Sequence, residues 1–540
     1  MSLFCVCGIG FFHAQLTEMY AGGKMLQIKD LTITHLKDLR IILDKFNMVL
    51  NDGDKAVIIG EEGNGKSTLM KWIYDPNLAE AYTECSGERI TGGESLGYLP
   101  QELNECDRVK TLYEYFSEGT LFFDKTPKEL SEMASQFQVP SEFFYSDQIM
   151  GSLSGGEKVK AQLMRLLMDE PTVLLLDEPS NDIDIGTLEL LENLIKDWKH
   201  IVLYISHDET LIENTANVII HLEQIMRKTK SRYTIVKDNY QKYIQRRADN
   251  FERQEQQALN ERREKKLREE KYNKILQKVN RAQYTINGAG KDLADKMQAA
   301  RNLKDKMHTV KAMGKRFEKM DENMPEMPEQ EEAIFFKLGN EAARIPAGKT
   351  VIEYSLDELR TPDGSKILSR NIFLRVRGPE KICIVGTNGV GKTTLLKKMA
   401  DELLSRKDIR AQYMPQNYED MLDLDATPVE YLDDTGDKVI RTRIRTYLGS
   451  LKYTPDEMDH PIRELSGGQK AKVLLLKMSM SDANVLILDE PTRNFSPLSG
   501  PVIREMIASF PGAVISISHD RKYIDEVCTK VCTLTEEGLK

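Results

Sequence analysis

The stretch that decides the fold is GEEGNGKST, Gly60 to Thr68, which recurs as GTNGVGKTT, Gly386 to Thr394. Each copy follows an apolar run, KAVII or KICIV, and precedes helix-forming residues. Strand, glycine-rich turn and helix is the phosphate-binding loop pattern. The glycines let the backbone turn tightly and aim N–H groups at phosphate oxygens, and the helix N-terminus adds a favourable dipole. Gly60, Glu61, Glu62, Gly63, Asn64, Gly65, Lys66, Ser67 and Thr68 are expected to form the first cradle. Gly386, Thr387, Asn388, Gly389, Val390, Gly391, Lys392, Thr393 and Thr394 are expected to form the second. Lys66 and Lys392 should reach the β- and γ-phosphates, with Ser67 and Thr393 on Mg²⁺. Glu61 and Glu62 are odd neighbours for phosphate and are expected to point outward.

A second repeat pairs TVLLLDEPSND, Thr172 to Asp182, with NVLILDEPTRN, Asn484 to Asn494. Four consecutive apolar residues suit a parallel strand buried on both faces, whose C-terminal end would bring the carboxylates beside the phosphates. Asp177 and Asp489 would act on Mg²⁺, directly or through water, while Glu178 and Glu490 would polarise the attacking water. Strand alternation is expected to send the two acids to opposite sides. An acid pair ending a strand can equally cap a helix, but the spacing argues otherwise. Ser154 of LSGGE and Ser466 of LSGGQ each stand 23 residues before their aspartate, and His207 and His519 each stand 30 after it. Gln101 and Gln416 lie between loop and serine motif in both halves and are further candidates for Mg²⁺.

With every main motif present in order, both halves resemble ATP-binding cassette (ABC) ATPase domains. The resemblance covers most of the chain and implies an α/β fold class: two P-loop NTPase domains of the ABC ATPase type, joined by a long helical hairpin. It implies a head-to-tail sandwich of the halves, with ATP and Mg²⁺ held between one half's phosphate loop and the other's signature residues. Site one would join Gly60 to Thr68, Gln101, Asp177, Glu178 and His207 to Ser466, Gly467 and Gly468. Site two would join Gly386 to Thr394, Gln416, Asp489, Glu490 and His519 to Ser154, Gly155 and Gly156. One departure is RNFSPLSG after the second DEPT, which puts Ser496 where the first half has Asp184 and is expected to weaken coupling at one interface. No obvious aromatic residue precedes either phosphate loop, so adenine preference follows from the resemblance alone.

The net charge is −10, yet residues 239–320 hold 22 basic and 11 acidic side chains, leaving −21 for the remainder. Segregated positive charge points to a polyanionic partner. Leu293, Met297, Ala300, Leu303, Met307, Val310, Phe317 and Met320 form a heptad-like stripe, which Phe251, Ala258, Ile275, Val279 and Ala282 can face. INGAGKD, Ile286 to Asp292, breaks the pattern, so two antiparallel helices joined there are expected, the first from about Tyr240 to Thr285. Twin cassettes with a basic helical linker introduced by DNYQKYIQRR resemble the F subfamily (ABC-F). That resemblance implies a ribosome-bound protein whose linker reaches toward P-site tRNA, with Tyr284, Asn287 and Lys291 at a tip that touches tRNA or rRNA. A short arm with a long linker resembles the antibiotic-resistance members; housekeeping translation factors are the neighbouring reading.

Expected boundaries are 1–24 for an extra N-terminal segment, 25–238 and 321–540 for the cassettes, and 239–320 for the linker. Residues 1–24 lack a basic n-region before Lys24, which argues against secretion, and Met25 is expected to be the true start, the earlier residues being disordered or spurious. No apolar run of about 18 residues could span a bilayer. The seven scattered cysteines fit reduced cytosolic thiols, so a cytoplasmic monomer is expected, its two cassettes pairing within one chain. A transport ATPase docking on separate membrane subunits is the main rival, though an 82-residue basic hairpin, 239–320, has no evident task there.

Overall fold

The computed structural model describes residues 25–119, 121–225, 228–288, 293–322, 337–339, 341–361, 363–433 and 435–540. Residues 1–24, Lys291 and the side chains of Tyr284 and Asn287 lie outside the described residues, as do those of Ala282, Leu293, Met297, Ala300, Leu303 and Met320. Two units result: one holds both cassettes, ending at Tyr240 and resuming at Glu331, and the other is Gln241–Gln330.

The apolar runs KAVII, VLLLD and IVLYI become the strands Lys55–Ile59, Val173–Asp177 and Ile201–Ile205, buried at every position. They sit side by side in a six-stranded sheet ordered Leu96–Leu99, Val173–Asp177, Ile201–Ile205, Lys55–Ile59, Val218–Ile225, Lys230–Val236, parallel except at its last pairing. The second cassette repeats the order with Ala411–Met414, Val485–Asp489, Ala513–Ile517, Lys381–Val385, Lys530–Thr535 and Gly538–Leu539. Helices on both faces bury such strands completely, which is why their sequences do not alternate. The alternating runs instead form antiparallel layers, Met25–His35 between Ile41–Asn51 and Thr83–Ile90 in one half, and Thr350–Arg360 with Ile367–Arg377 in the other. Topology brings phosphate loop, acid pair and histidine to the carboxyl ends of neighbouring strands, where an open α/β sheet binds ligands. The α/β, twin-cassette architecture read from the sequence is the one observed.

The cassettes also meet through charge. Arg504, 3% exposed, donates to Glu209, 6% exposed, at 2.6 Å, and its Nε reaches Glu526 at 2.7 Å. Lys522 bridges Glu209 and Glu213 at 3.2 and 2.5 Å, and Arg521 reaches Glu192 at 3.0 Å. The bases belong to the second cassette, and all but one of the acids to the first. Gly500 makes the approach possible, since a Cβ there would stand 2.4 Å from Glu209 Oε1.

Within the other unit, Tyr240–Gly288 and Leu293–Glu322 are helices of 49 and 30 residues. The first is about 73 Å long at ~1.5 Å per residue. It runs three residues past the expected Thr285, through Asn287 to Gly288, because a terminal glycine costs a helix only about 1 kcal/mol. Ala258, Val279 and Val310 are buried, and Tyr272 meets Phe317 edge to face at 6.1 Å between centroids.

Truncating Arg504 to alanine should lower stability by on the order of 3 kcal/mol, the low end for a broken buried pair, because Lys522 still reaches Glu209. Replacing Arg504 with Met and Glu209 with Leu together should cost less than the single change. Urea unfolding checks both, and an Arg504→Ala midpoint equal to wild type would show that the cluster is not buried.

Candidate functional site

Each phosphate loop enters its helix through a left-handed glycine. Gly65, φ 85°, precedes Lys66–Tyr74, and Gly391, φ 99°, precedes Lys392–Ser405. No side chain caps either helix, which leaves first-turn N–H groups for an anion. Glycine is doubly required at Gly65, where a Cβ would also lie 2.1 Å from Ile42 Cγ2. The buried lysines fold over the loops. Lys66 Nζ donates to the Gly60 and Glu61 carbonyls at 2.9 and 3.1 Å, and Lys392 Nζ to those of Gly386 and Thr387 at 2.8 and 3.0 Å. Burial pulls the Lys392 ammonium below the usual lysine range, against the charge of Glu490.

The strands stop at Asp177 and Asp489, and Glu178 and Glu490 take left-handed backbones, φ 50° and 53°. A kink off the strand therefore separates the two acids, not the expected alternation along it. Non-glycine residues held there carry strain of the sort that collects at functional sites. Asp177 accepts from Ser67 Oγ at 2.9 Å and from the Tyr98 hydroxyl at 3.2 Å. Glu178 accepts from Gln101 at 2.8 Å, Asn181 at 2.5 Å and His207 Nε2 at 3.2 Å. His207 Nδ1 crosses to the Phe495 carbonyl of the other cassette at 2.6 Å. Ser496, beside that carbonyl, is buried and shares a hydrogen bond with Ser499.

The two acid pairs differ electrostatically. Burial pushes Glu178 up, but the His207 charge and hydrogen bond, with the Lys66 ammonium, hold it at about 2. Burial and the neighbouring Asp489 raise Glu490 to about 8, while burial and the Lys392 charge depress His519 to about 4. Asp177 is pushed to about 6 by burial and by Glu178, and Asp489 to about 6 by burial. Both Asp489 oxygens are buried with no well-aligned hydrogen-bond partner, although the Thr393 hydroxyl lies close enough to draw the pKa down. A carboxylate with spare lone pairs beside a hydroxyl is the hard oxygen set that suits Mg²⁺.

Across the interface the second loop reaches into the first cassette. Asn388 Nδ2 donates to the Asp182 carbonyl at 2.6 Å, and Gln416 and Arg493 hold the Asp182 carboxylate at 3.1 and 2.8 Å. Gln101 and Gln416 thus bond to carboxylates here. A cleft of about 1000 Å³ opens at this site, lined by Lys392, Glu490 and His519 on one side and Ser154 and Gly155 on the other. Ser154 and Ser466 cap their own signature helices, each accepting from the third helical N–H at 3.3 Å. At the other site Glu61 and Glu62 point away from their own loop and toward the opposite cassette. Glu62 accepts the N–H of Gly467 at 3.3 Å and also that of Gly468, and Glu61 pairs with Lys472 at 3.0 Å. A void of about 20 Å³ adjoins this contact, and Gly467 also lines the larger cleft. Asp182, Arg493, Asn181 and Tyr98 went unread in the sequence. Asp182 and Arg493 each sit within five residues of a motif aspartate, a signal that spacing alone could not rank.

The family described as ABC transporter matches residues 43–181 and 369–493, one match per cassette, each holding a phosphate loop, a signature helix and an acid pair. The ATP-binding protein Uup of Escherichia coli (strain K12) is 28% identical over 540 positions, spanning 92% of this chain and 78% of its own. The ribosome protection protein VmlR of Bacillus subtilis (strain 168) is 27% identical over 515 positions, spanning 92% of this chain and 84% of its own. The chain is similar to the ATP-binding cassette proteins of the F type. The chain shares its fold with the archaeal ribosome recycling factor aABCE1, solved with the ribosomal stalk protein aP1. That likeness has a TM-score of 0.56 at 17% identity, over 94% of this chain and 89% of that one. Among the described residues no helix is long and apolar enough to cross a membrane.

Glu490 makes stability depend on pH. Its folded pKa of about 8 lies above the unfolded 4.5, so the native state binds the extra proton and stability falls as pH rises from 4.5 through 8. Melting the nucleotide-free protein across that range should show the decline, and Glu490→Gln should remove the part above about pH 6, beyond the range in which Asp177 and Asp489 contribute. Parallel curves for the two chains would refute the assignment.

Proposed function

We propose that the chain is a ribosome-associated ATPase, in which ATP binding closes the cassettes and hydrolysis releases them, timing the insertion of its basic hairpin near P-site tRNA. The observation that carries this reading is one chain holding two head-to-tail cassettes and a long helical hairpin with 22 basic against 11 acidic residues over 239–320. The likeness to VmlR, a protein named for ribosome protection, supports it, and antibiotic protection or regulation of translation is the corresponding role.

In this reading Lys66 and Lys392, with their loop N–H groups, bind the phosphates, and the γ-phosphate adds charge-assisted hydrogen bonds to Ser466, Gly467 and Gly468 or to Ser154, Gly155 and Gly156 across the interface. Losing the γ-phosphate removes those bonds and lets the interface loosen. Glu178 and Glu490 orient the attacking water, and His207 and His519 hold each glutamate and sense the opposite cassette. Ser67 with Asp177 and Gln101, and Thr393 with Asp489 and Gln416, would hold Mg²⁺, which when bound neutralises charge on the β- and γ-phosphates. Basic side chains along the hairpin flanks meet RNA phosphates, a contact that fixes position and not sequence.

Sedimentation through sucrose tests the reading. A Glu178→Gln, Glu490→Gln double variant should move with ribosomes in ATP and lose that mobility after ribonuclease. Sedimentation with membranes, or equal mobility with and without nucleotide, would contradict it. Charge reversal at Lys265, Lys266, Arg268 and Lys271 should abolish association while sparing basal ATP turnover, and collapse of turnover would make the hairpin structural. Raising salt from 50 to 200 mM should weaken binding on the order of 10³-fold if several phosphates are neutralised.

A further inference from the structure

The two composite sites contain the same motifs but differ at one position of the phosphate loop. Where the second loop has Asn388, the first has Glu62. Both side chains cross the interface, and they land differently. Asn388 binds the Asp182 carbonyl at 2.6 Å, beside a cleft of about 1000 Å³. Glu62 lays its carboxylate on the first turn of the opposite signature helix, Gly467–Met480, accepting the N–H groups of Gly467 and Gly468. That turn carries the positive end of a 14-residue helix and two N–H groups with no intrahelical acceptor. The fit is close, since a Cβ on Gly468 would stand 3.1 Å from Glu62 Oε2. The adjoining Glu61 holds Lys472, on the next turn, at 3.0 Å. Two carboxylates of one phosphate loop thus take two N–H groups and one ammonium of the opposite helix.

Those N–H groups are the ones a γ-phosphate bound on the first loop would need from the opposite cassette. To reach them it must displace Glu62 and then lie next to two like charges. A nucleoside diphosphate has no group that reaches across, so its phosphates can rest in the Lys66 cradle while Glu62 stays in place. Glu62 remains exposed to solvent, so it can be displaced, and its effect is on selectivity rather than access. We propose that Glu62 is a built-in stand-in for the γ-phosphate, which makes the first site selective for the nucleoside diphosphate and leaves ATP-dependent closure to the second. The inference rests on the reading of both loops as adenine-nucleotide sites.

Equilibrium titration with methylanthraniloyl-ADP and a non-hydrolysable methylanthraniloyl-ATP analogue, in Mg²⁺, tests it on the full chain. In a Lys392→Ala background, which silences the second loop, the first site should favour the diphosphate about tenfold. Adding Glu62→Asn should strengthen the ATP analogue about tenfold and leave the diphosphate within about twofold. Glu62→Gln, which keeps the shape and removes the charge, should act in the same direction. Equal affinities in the Lys392→Ala chain, or a Glu62 variant that shifts both nucleotides alike, would overturn the proposal. A Lys66→Ala chain isolates the second loop. If that loop binds ATP while the first shows no preference, the Glu62 inference alone falls; if neither loop binds nucleotide, the reading beneath it falls as well.

Discussion

Contact between the cassettes turns on an anion shared by one phosphate loop and the first turn of the other's signature helix. The helix supplies N–H groups that lack acceptors within it, and the opposite loop presents the negative charge. In this structure the Glu62 carboxylate occupies that position at one site, against Gly467 and Gly468. At the other, the Lys392 loop and the Ser154 turn face each other across an open cleft. The donors are backbone groups at glycines, so in the proposed cycle the anion, and not a donor side chain, would control closure. The buried Arg504–Glu209 cluster adds an attachment between cassettes that needs no nucleotide.

The sites are also unequal in charge. Glu178 is ionised and tied to His207, which reaches the other cassette through the Phe495 carbonyl. Glu490 is pushed up to about 8 by burial and by the neighbouring Asp489. Hydration of its cleft would lower that pKa, because burial is its main cause.

The chain's strands, loops and acid pairs were legible because local chemistry dictates them. Apolar runs such as VLLLD have no alternative to a strand buried on both faces, and a left-handed turn before Lys66 accepts little besides glycine. Fixed intervals from Ser154 and His207 to Asp177, repeated from Ser466 and His519 to Asp489, identified the two sites as copies. What stayed hidden depends on the opposite cassette. Nothing local to Glu62 indicates Gly468, some 400 residues away, and Asp182 gains its meaning only where Gln416, Arg493 and Asn388 converge on it. The end of the first hairpin helix was misjudged for a milder reason, since glycine weakens a helix terminus without ending it.

Closure driven at the second site is the claim on which the rest depends. The direct measurement is the distance between spin labels at exposed Glu189 of the first cassette and Lys398 of the second, in a chain freed of native cysteines, without nucleotide and with ATP on the Glu490→Gln variant. The account predicts a shorter, narrower distance distribution in ATP that reverts when the nucleotide is removed. An unchanged distribution would contradict it.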